Sequence, residues 1–160
     1  STPLCRFDAP PPAQPSPATQ SAPAAIETDP DTERLVDDLI RGEPVVLFAL
    51  EWCEFCWSVR KLFAKVGIKY RSVDLDSVEY QKDDLGGKIR AVLARRTGAK
   101  TIPQTFVGAE HVGGATDFFN AWRDGSMQRR LTQNNIAYDA AVQVDPYSLL
   151  PKWQQPRKTA

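Results

Sequence analysis

The chain has 160 residues, 20 acidic and 20 basic, for a formal net charge of +0. That length suits one domain with tails, and the even balance argues against a nucleic-acid partner, which draws a basic excess. No run approaches the roughly 18–20 continuous apolar residues that cross a bilayer. The opening residues show no charged stretch followed by an apolar run, so no signal peptide is visible, and the expected setting is the cytoplasm, away from membrane.

Residues 1–30 are rich in Pro, Ala, Ser and Gln. Such a segment buries too little apolar surface to offset the entropy of ordering it, and its prolines favour extended polyproline II. It reads as a disordered linker, and a linker of that length implies an upstream fused domain or a spacer role. Order is expected from about Asp29 or Asp31, in a domain spanning 31–133. Leu35, Val36, Leu39 and Ile40 share one helical stripe, with Asp31 as the expected N-cap and Gly42 as the stop.

Residues 44–50 form a continuous apolar run of strand length, the pattern of a strand buried on both faces. Trp52-Cys-Glu-Phe-Cys follows at once, and Val59, Leu62, Phe63 and Val66 continue at helical spacing to Gly67. Residues 69–75 alternate as a second strand. A β-α-β order this short implies parallel strands. An amphipathic helix is expected over 84–96, carrying Leu85, Ile89, Val92 and Leu93 and closed by Gly98, with Gly86-Gly87 blurring its start. Residues 101–107 read as a strand reached through Pro103, Gly108-Ala-Glu as a hairpin turn, and His111-Val-Gly as the returning strand. A helix is expected from Thr116, capped there or beside it, with a second short one after Gly125 capped by Ser126. The pattern fades over 134–160, a C-terminal extension. Its Tyr147, Leu149, Leu150 and Trp153 argue that it folds back on the domain or docks elsewhere.

The chemistry sits in the cysteines. There are three, Cys5, Cys53 and Cys56, an odd and sparse set that does not suggest a secreted disulfide scaffold. Cys53 and Cys56 form a C-x-x-C pair between a buried strand and an amphipathic helix. That places Cys53 at a helix N-terminus, where unpaired N–H groups and the helix dipole favour an anion. The thiolate is the nucleophile of disulfide exchange. Cys56 lies one turn deeper, within bridging reach. Cys53 is therefore read as the attacking sulfur and Cys56 as the resolving one. Structural zinc would need four ligands, and no second C-x-x-C is present; Cys5 and His111 are the remaining donors, with Cys5 in the linker. A pair of inert buried thiols, or a static disulfide, would also suit the spacing. No metal is expected.

Three motifs, in order, resemble the glutaredoxins of the thioredoxin-fold superfamily. Val45-Val-Leu-Phe-Ala-Leu-Glu-Trp-Cys-Glu-Phe-Cys is similar to the strand leading into a C-P-Y-C; Thr101-Ile-Pro is similar to T-V-P; Gly113-Gly-Ala-Thr-Asp is similar to G-G-C-D-D or G-G-C-S-D. The resemblance covers residues 44–131 and implies a thioredoxin-like α/β sandwich with a four-stranded mixed sheet flanked by helices. It implies a glutathione-dependent thiol–disulfide oxidoreductase acting on protein disulfides or glutathione mixed disulfides, with glutathione as co-substrate. Pro103 would be cis. Ile102 would offer its backbone to the cysteinyl part of glutathione, as a strand edge does. Thr101 belongs to the same motif, and Lys100 is placed like the basic residue that meets the glycine carboxylate. Gly114, Thr116 and Asp117 would hold the γ-glutamyl carboxylate at a helix N-terminus.

The chain departs from the family pattern at Leu50, where a Lys is usual, at Glu54, where a Pro is usual, and at Phe55 for Tyr and Ala115 for Cys. The first two leave the sulfur in a more negative setting and weaken the expected hold on glutathione. Two further readings stay open beside the enzyme. One is a glutathione-assisted [2Fe–2S] cluster module, prompted by Glu54 and Trp52. The other is a donor reduced by a thioredoxin reductase, prompted by Leu50. Trp52 is expected to wall the cleft and Trp57 to pack on or shield Cys56, with an aromatic substrate platform the weaker reading. His111, the only histidine, is expected to be structural.

Overall fold

The computed structural model describes residues 27–151. The Pro-rich linker up to residue 26, Cys5 and Trp153 lie outside the described residues. The first element, α1, is Pro30–Gly42. Its N-cap is Asp29, not Asp31: the Asp29 carboxylate accepts hydrogen bonds from the Asp31 N–H and the Thr32 hydroxyl. Pro30 explains the shift, because a proline without an N–H fits the first helical position and leaves the cap to the residue before it, Asp29.

β1 is Val45–Ala49, and all five of its residues are buried. α2 is Glu54–Val66, closed by Gly67 in the left-handed region at φ 72°. β2 is Arg71–Asp74 and α3 is Leu85–Thr97. β3, Gln104–Val107, and β4, Glu110–Gly113, form the hairpin. Gly108 and Ala109 both have positive φ, as a two-residue type I′ turn requires. α4 is Ala115–Arg123 and α5 is Ser126–Gln133. A 3-10 turn, Pro146–Leu149, follows.

The sheet order is β2-β1-β3-β4. β1 runs parallel to β2 and antiparallel to β3, so this is the thioredoxin-like α/β sandwich with a four-stranded mixed sheet. The run of β1 is apolar throughout because it feeds two cores. Val45, Leu47 and Ala49 face one core with Cys56, Leu62, Phe63, Phe118, Phe119 and Leu131, under α2, α4 and α5. Val46 and Phe48 face the other, with residues of α1 and α3 such as Val36, Ile40, Ile89 and Leu93. The helices thus clamp the sheet from both sides, and the C-terminal ends of β1 and β2 are left at one rim.

The N-cap of α4 is Gly114, beside Ala115 in the neighbourhood expected, and Thr116 is exposed within the helix. The other expected cap moves. Ser126 is the first residue of α5 and not its cap; Gly125 holds that place at φ 86°. The extension after residue 133 folds back. Tyr138, Val142, Tyr147 and Leu149 pack on the α2–α4–α5 core and Leu150 is buried in it.

Candidate active site

β1 ends at the rim, and the chain crosses from Leu50 to Cys53 before α2 begins. Leu75 N–H bonds the Ala49 carbonyl at 2.9 Å, and Glu51 N–H bonds the Asp76 carboxylate at 2.8 Å. These two bonds fix the loop against the end of β2. Cys53 is the N-cap of α2, in extended conformation at φ −148°. Its Sγ accepts the Cys56 N–H at 3.3 Å, and its carbonyl accepts the Trp57 N–H at 3.0 Å. A sulfur in the capping position faces the open N–H groups of the first turn, where negative charge is favoured.

The two cysteines differ in access. Cys53 is half-buried, whereas Cys56 is fully enclosed in the core. Burial, followed by its hydrogen bond to Cys53, pushes the Cys56 thiol up to about 12. Arg60, one turn further along α2, pulls weakly the other way. Its guanidinium is committed to Asp74 at 2.5 Å and reaches the Leu50 carbonyl at 3.5 Å. The half-buried pair therefore ties α2 to β2 directly beneath the loop.

Beside this loop, the register Phe48↔Gln104 sets the residues before β3 next to the end of β1. The Ile102–Pro103 peptide is cis. Ile102 and Cys53 pack against the same core. Lys100 and Thr101 are exposed just before them. The third segment joins through Gly114, where an added Cβ would lie 3.5 Å from the Pro103 carbonyl oxygen. Asp117 folds back so that its carboxylate accepts the Gly114 N–H at 2.9 Å. Gly113 is required here: its φ is +119°, and a Cβ would meet that carboxylate at 2.3 Å. Cys53, the Thr101–Pro103 turn and the start of α4 thus meet on one edge of the molecule.

Known proteins share this fold. A family profile described as "Glutaredoxin" matches residues 45–112. A tomato (Solanum lycopersicum) glutaredoxin is 38% identical over 96 residues, covering 60% of this chain and 84% of that protein. A rice monothiol glutaredoxin, S10, is 31% identical over 125 residues, covering 74% of each. The crystal structure of a buckwheat glutaredoxin–glutathione complex superposes with a TM-score of 0.61 at 32% identity, covering 66% of this chain and 92% of that one.

The chain belongs to the glutaredoxin family. Its activity is glutaredoxin-type thiol–disulfide oxidoreduction, and Cys53 and Cys56 are arranged as a dithiol pair.

Several parts of this glutaredoxin's site carry no sequence signal. Gln104 is buried, and its amide nitrogen donates to the Ala99 carbonyl at 2.8 Å and the Thr101 carbonyl at 3.0 Å. It pins the Lys100–Thr101 turn from below. Ser58, also buried, places its hydroxyl 2.7 Å from the Leu149 carbonyl and 3.1 Å from that of Glu54. The Trp57 indole N–H donates to the Glu51 carbonyl at 2.7 Å, while the core encloses Cys56. Trp52 is 83% exposed. His111 lies against the Phe106 ring at 5.2 Å, and burial holds its imidazole below its usual range. Among the described residues no three His, Cys, Asp or Glu side chains cluster as metal ligands.

Proposed function

We propose that this glutaredoxin uses glutathione to reduce protein disulfides and glutathione mixed disulfides in a reducing compartment such as the cytoplasm. The supporting observation is the asymmetry of the pair: Cys53 caps α2 at the surface while Cys56 is buried and held protonated. The Cys53 thiolate attacks one sulfur of the substrate disulfide; that S–S bond breaks and the second sulfur leaves as thiolate, taking a proton from solvent. Cys56 then gives up its proton and attacks Cys53, forming the Cys53–Cys56 disulfide and releasing the substrate as a dithiol. Two glutathione thiols return the pair to the reduced state and leave as glutathione disulfide. When the substrate is a glutathione mixed disulfide, Cys53 alone takes up the glutathionyl group and a second glutathione removes it.

In this reading glutathione lies along the edge described above. The Ile102 backbone meets its cysteinyl part, Lys100 its glycine carboxylate, and the first N–H groups of α4 its γ-glutamyl carboxylate, with Thr101 and Pro103 shaping the floor. Gly114 permits the close approach and the Thr116 hydroxyl adds a donor. Asp117 contributes by fixing Gly114 through its carboxylate, a positioning task more than a direct contact. The test is a glutathione-coupled assay on two variants. Cys53→Ser abolishes turnover on both substrate types. Cys56→Ser retains removal of glutathione from a mixed disulfide and loses reduction of an intramolecular protein disulfide. Equal loss in both variants contradicts the assignment.

A further inference from the structure

Beside Cys53 an aromatic surface remains that the glutathione reading leaves unused. Trp52 is 83% exposed and Trp57 38% exposed, and their rings meet edge to face at 5.9 Å. The arrangement is held, since the Trp57 indole N–H is bonded to the Glu51 carbonyl and the Glu51 N–H to Asp76. Two adjacent exposed tryptophans, one of them held by its indole N–H, are the kind of apolar surface that marks a docking site, and Trp is a residue on which binding energy concentrates. The surface continues into a groove of about 300 Å³ between Glu54, Trp57 and Lys61 of α2 and residues 148–151.

The charge around it is mostly negative. Glu51 and Glu54 are exposed on either side of Trp52 and Cys53, and Asp76 sits under Glu51. Arg60 is spent on Asp74, which leaves Lys61, among the described residues, as the cation bordering the groove. An indole face attracts a cation, and flanking carboxylates add to the attraction while repelling an anionic approach.

We propose that the Trp52–Trp57 surface docks substrate proteins whose reactive disulfide is flanked by lysine or arginine. This rests on the proposed oxidoreductase function and specifies its protein substrates. The redox step is the exchange already given: the substrate disulfide is reduced to a dithiol and the Cys53–Cys56 pair is oxidised.

The test uses the full reduced chain and two synthetic peptides with the same intramolecular disulfide, one flanked by lysines and one by glutamates. Bis(2-hydroxyethyl) disulfide, small and uncharged, reads the intrinsic reactivity of Cys53. At low salt the lysine peptide should react about ten-fold faster or more, with the preference shrinking as salt screens the charges. Trp52→Ala and Glu51→Gln should each cut that preference by about three-fold or more, with little change on the uncharged disulfide. Equal rates for the two peptides, with the uncharged disulfide still reduced, would overturn the docking proposal and leave the function intact. So would a Trp52→Ala loss of the same size on all three substrates. Failure to reduce any of the three would overturn the function itself. The chain's own residues 152–160 include Lys152, Trp153, Arg157 and Lys158. A large gain in lysine-peptide rate on changing those three basic residues to Glu would assign the surface to that segment, against an external partner.

Discussion

Two residues of chain separate two sulfurs with opposite tasks. Cys53 sits where a helix begins, half open to solvent, and Cys56 sits where the helix has turned into the core. Enclosure keeps the Cys56 thiol protonated up to about 12, so at neutral pH it is a reserve and not a competing nucleophile. Of this pair, brief treatment with iodoacetamide at neutral pH should therefore modify Cys53 and leave Cys56, which labels only after denaturation, as read by mass spectrometry of the peptide that carries both. The same displacement has a stability consequence with a definite sign. An unfolded cysteine loses its proton near 9.0 while the folded one keeps it to about 12. Between those values the folded state binds more protons, so stability falls as pH rises. The contribution is whole below pH 9.0 and is lost on approaching about 12. The stability gap between wild type and Cys56→Ala, from urea midpoints, should narrow from neutral pH into that window; a constant gap contradicts the assignment.

At the scale of elements, the rim that carries the site depends on how closely α3 approaches the loop after β2. Gly86, in the first turn of α3, allows it: a Cβ there would lie 2.1 Å from the Leu75 carbonyl oxygen and 3.4 Å from that of Tyr80. That backbone leads into Asp76, which holds Glu51 and hence the loop before Cys53. Gly86→Ala should destabilise the fold by about 2–3 kcal/mol, the usual cost of overpacking. It should also reduce turnover, since Asp76 on the displaced backbone holds the loop that leads to the nucleophile. Urea unfolding checks the first expectation and a disulfide-reduction assay the second. Gly86 also shows what is legible in the sequence. The helices announce themselves through apolar spacing and through Gly67 and Gly98 at their ends, and the C-x-x-C places the sulfurs on one of them. The glycine pair at 86–87 reads only as an uncertain helix start, because the reason for Gly86 is a backbone from another segment. Gln104 is silent for the same cause: its partners, Ala99 and Thr101, come together only once the cis turn is folded against β3. The direction of Trp57 is illegible for a different reason, since period alone cannot tell a ring that covers a sulfur from one that braces the preceding loop.

For the whole molecule, the segment after α5 is part of the sandwich and not an appendage. It starts at the far end of α2, where Asp139 N–H bonds the Val66 carbonyl at 2.7 Å, and finishes near the active-site end, where Ser58 meets Leu149. Between these, Tyr138 packs edge-on to Trp122, Tyr147 packs on Phe119 and bonds Asn120, and Arg123 stacks over Tyr147. A strap attached at both ends of α2 restrains the helix that carries both cysteines. Leu150 shares the core with Cys56 and is only 8% exposed. Leu150→Ala should lower stability by about 2–3 kcal/mol, within the range for large-to-small core changes. Because Cys56 is protected by enclosure, the same variant should speed its alkylation in the native state, whereas labelling of Cys53 should change little. Ser58→Ala should act in the same direction with a smaller effect, about 1–2 kcal/mol, by leaving the Leu149 carbonyl without its buried donor. If both variants melt at a lower temperature yet Cys56 labels no faster than in wild type, the strap stabilises the sandwich without governing access to the resolving sulfur.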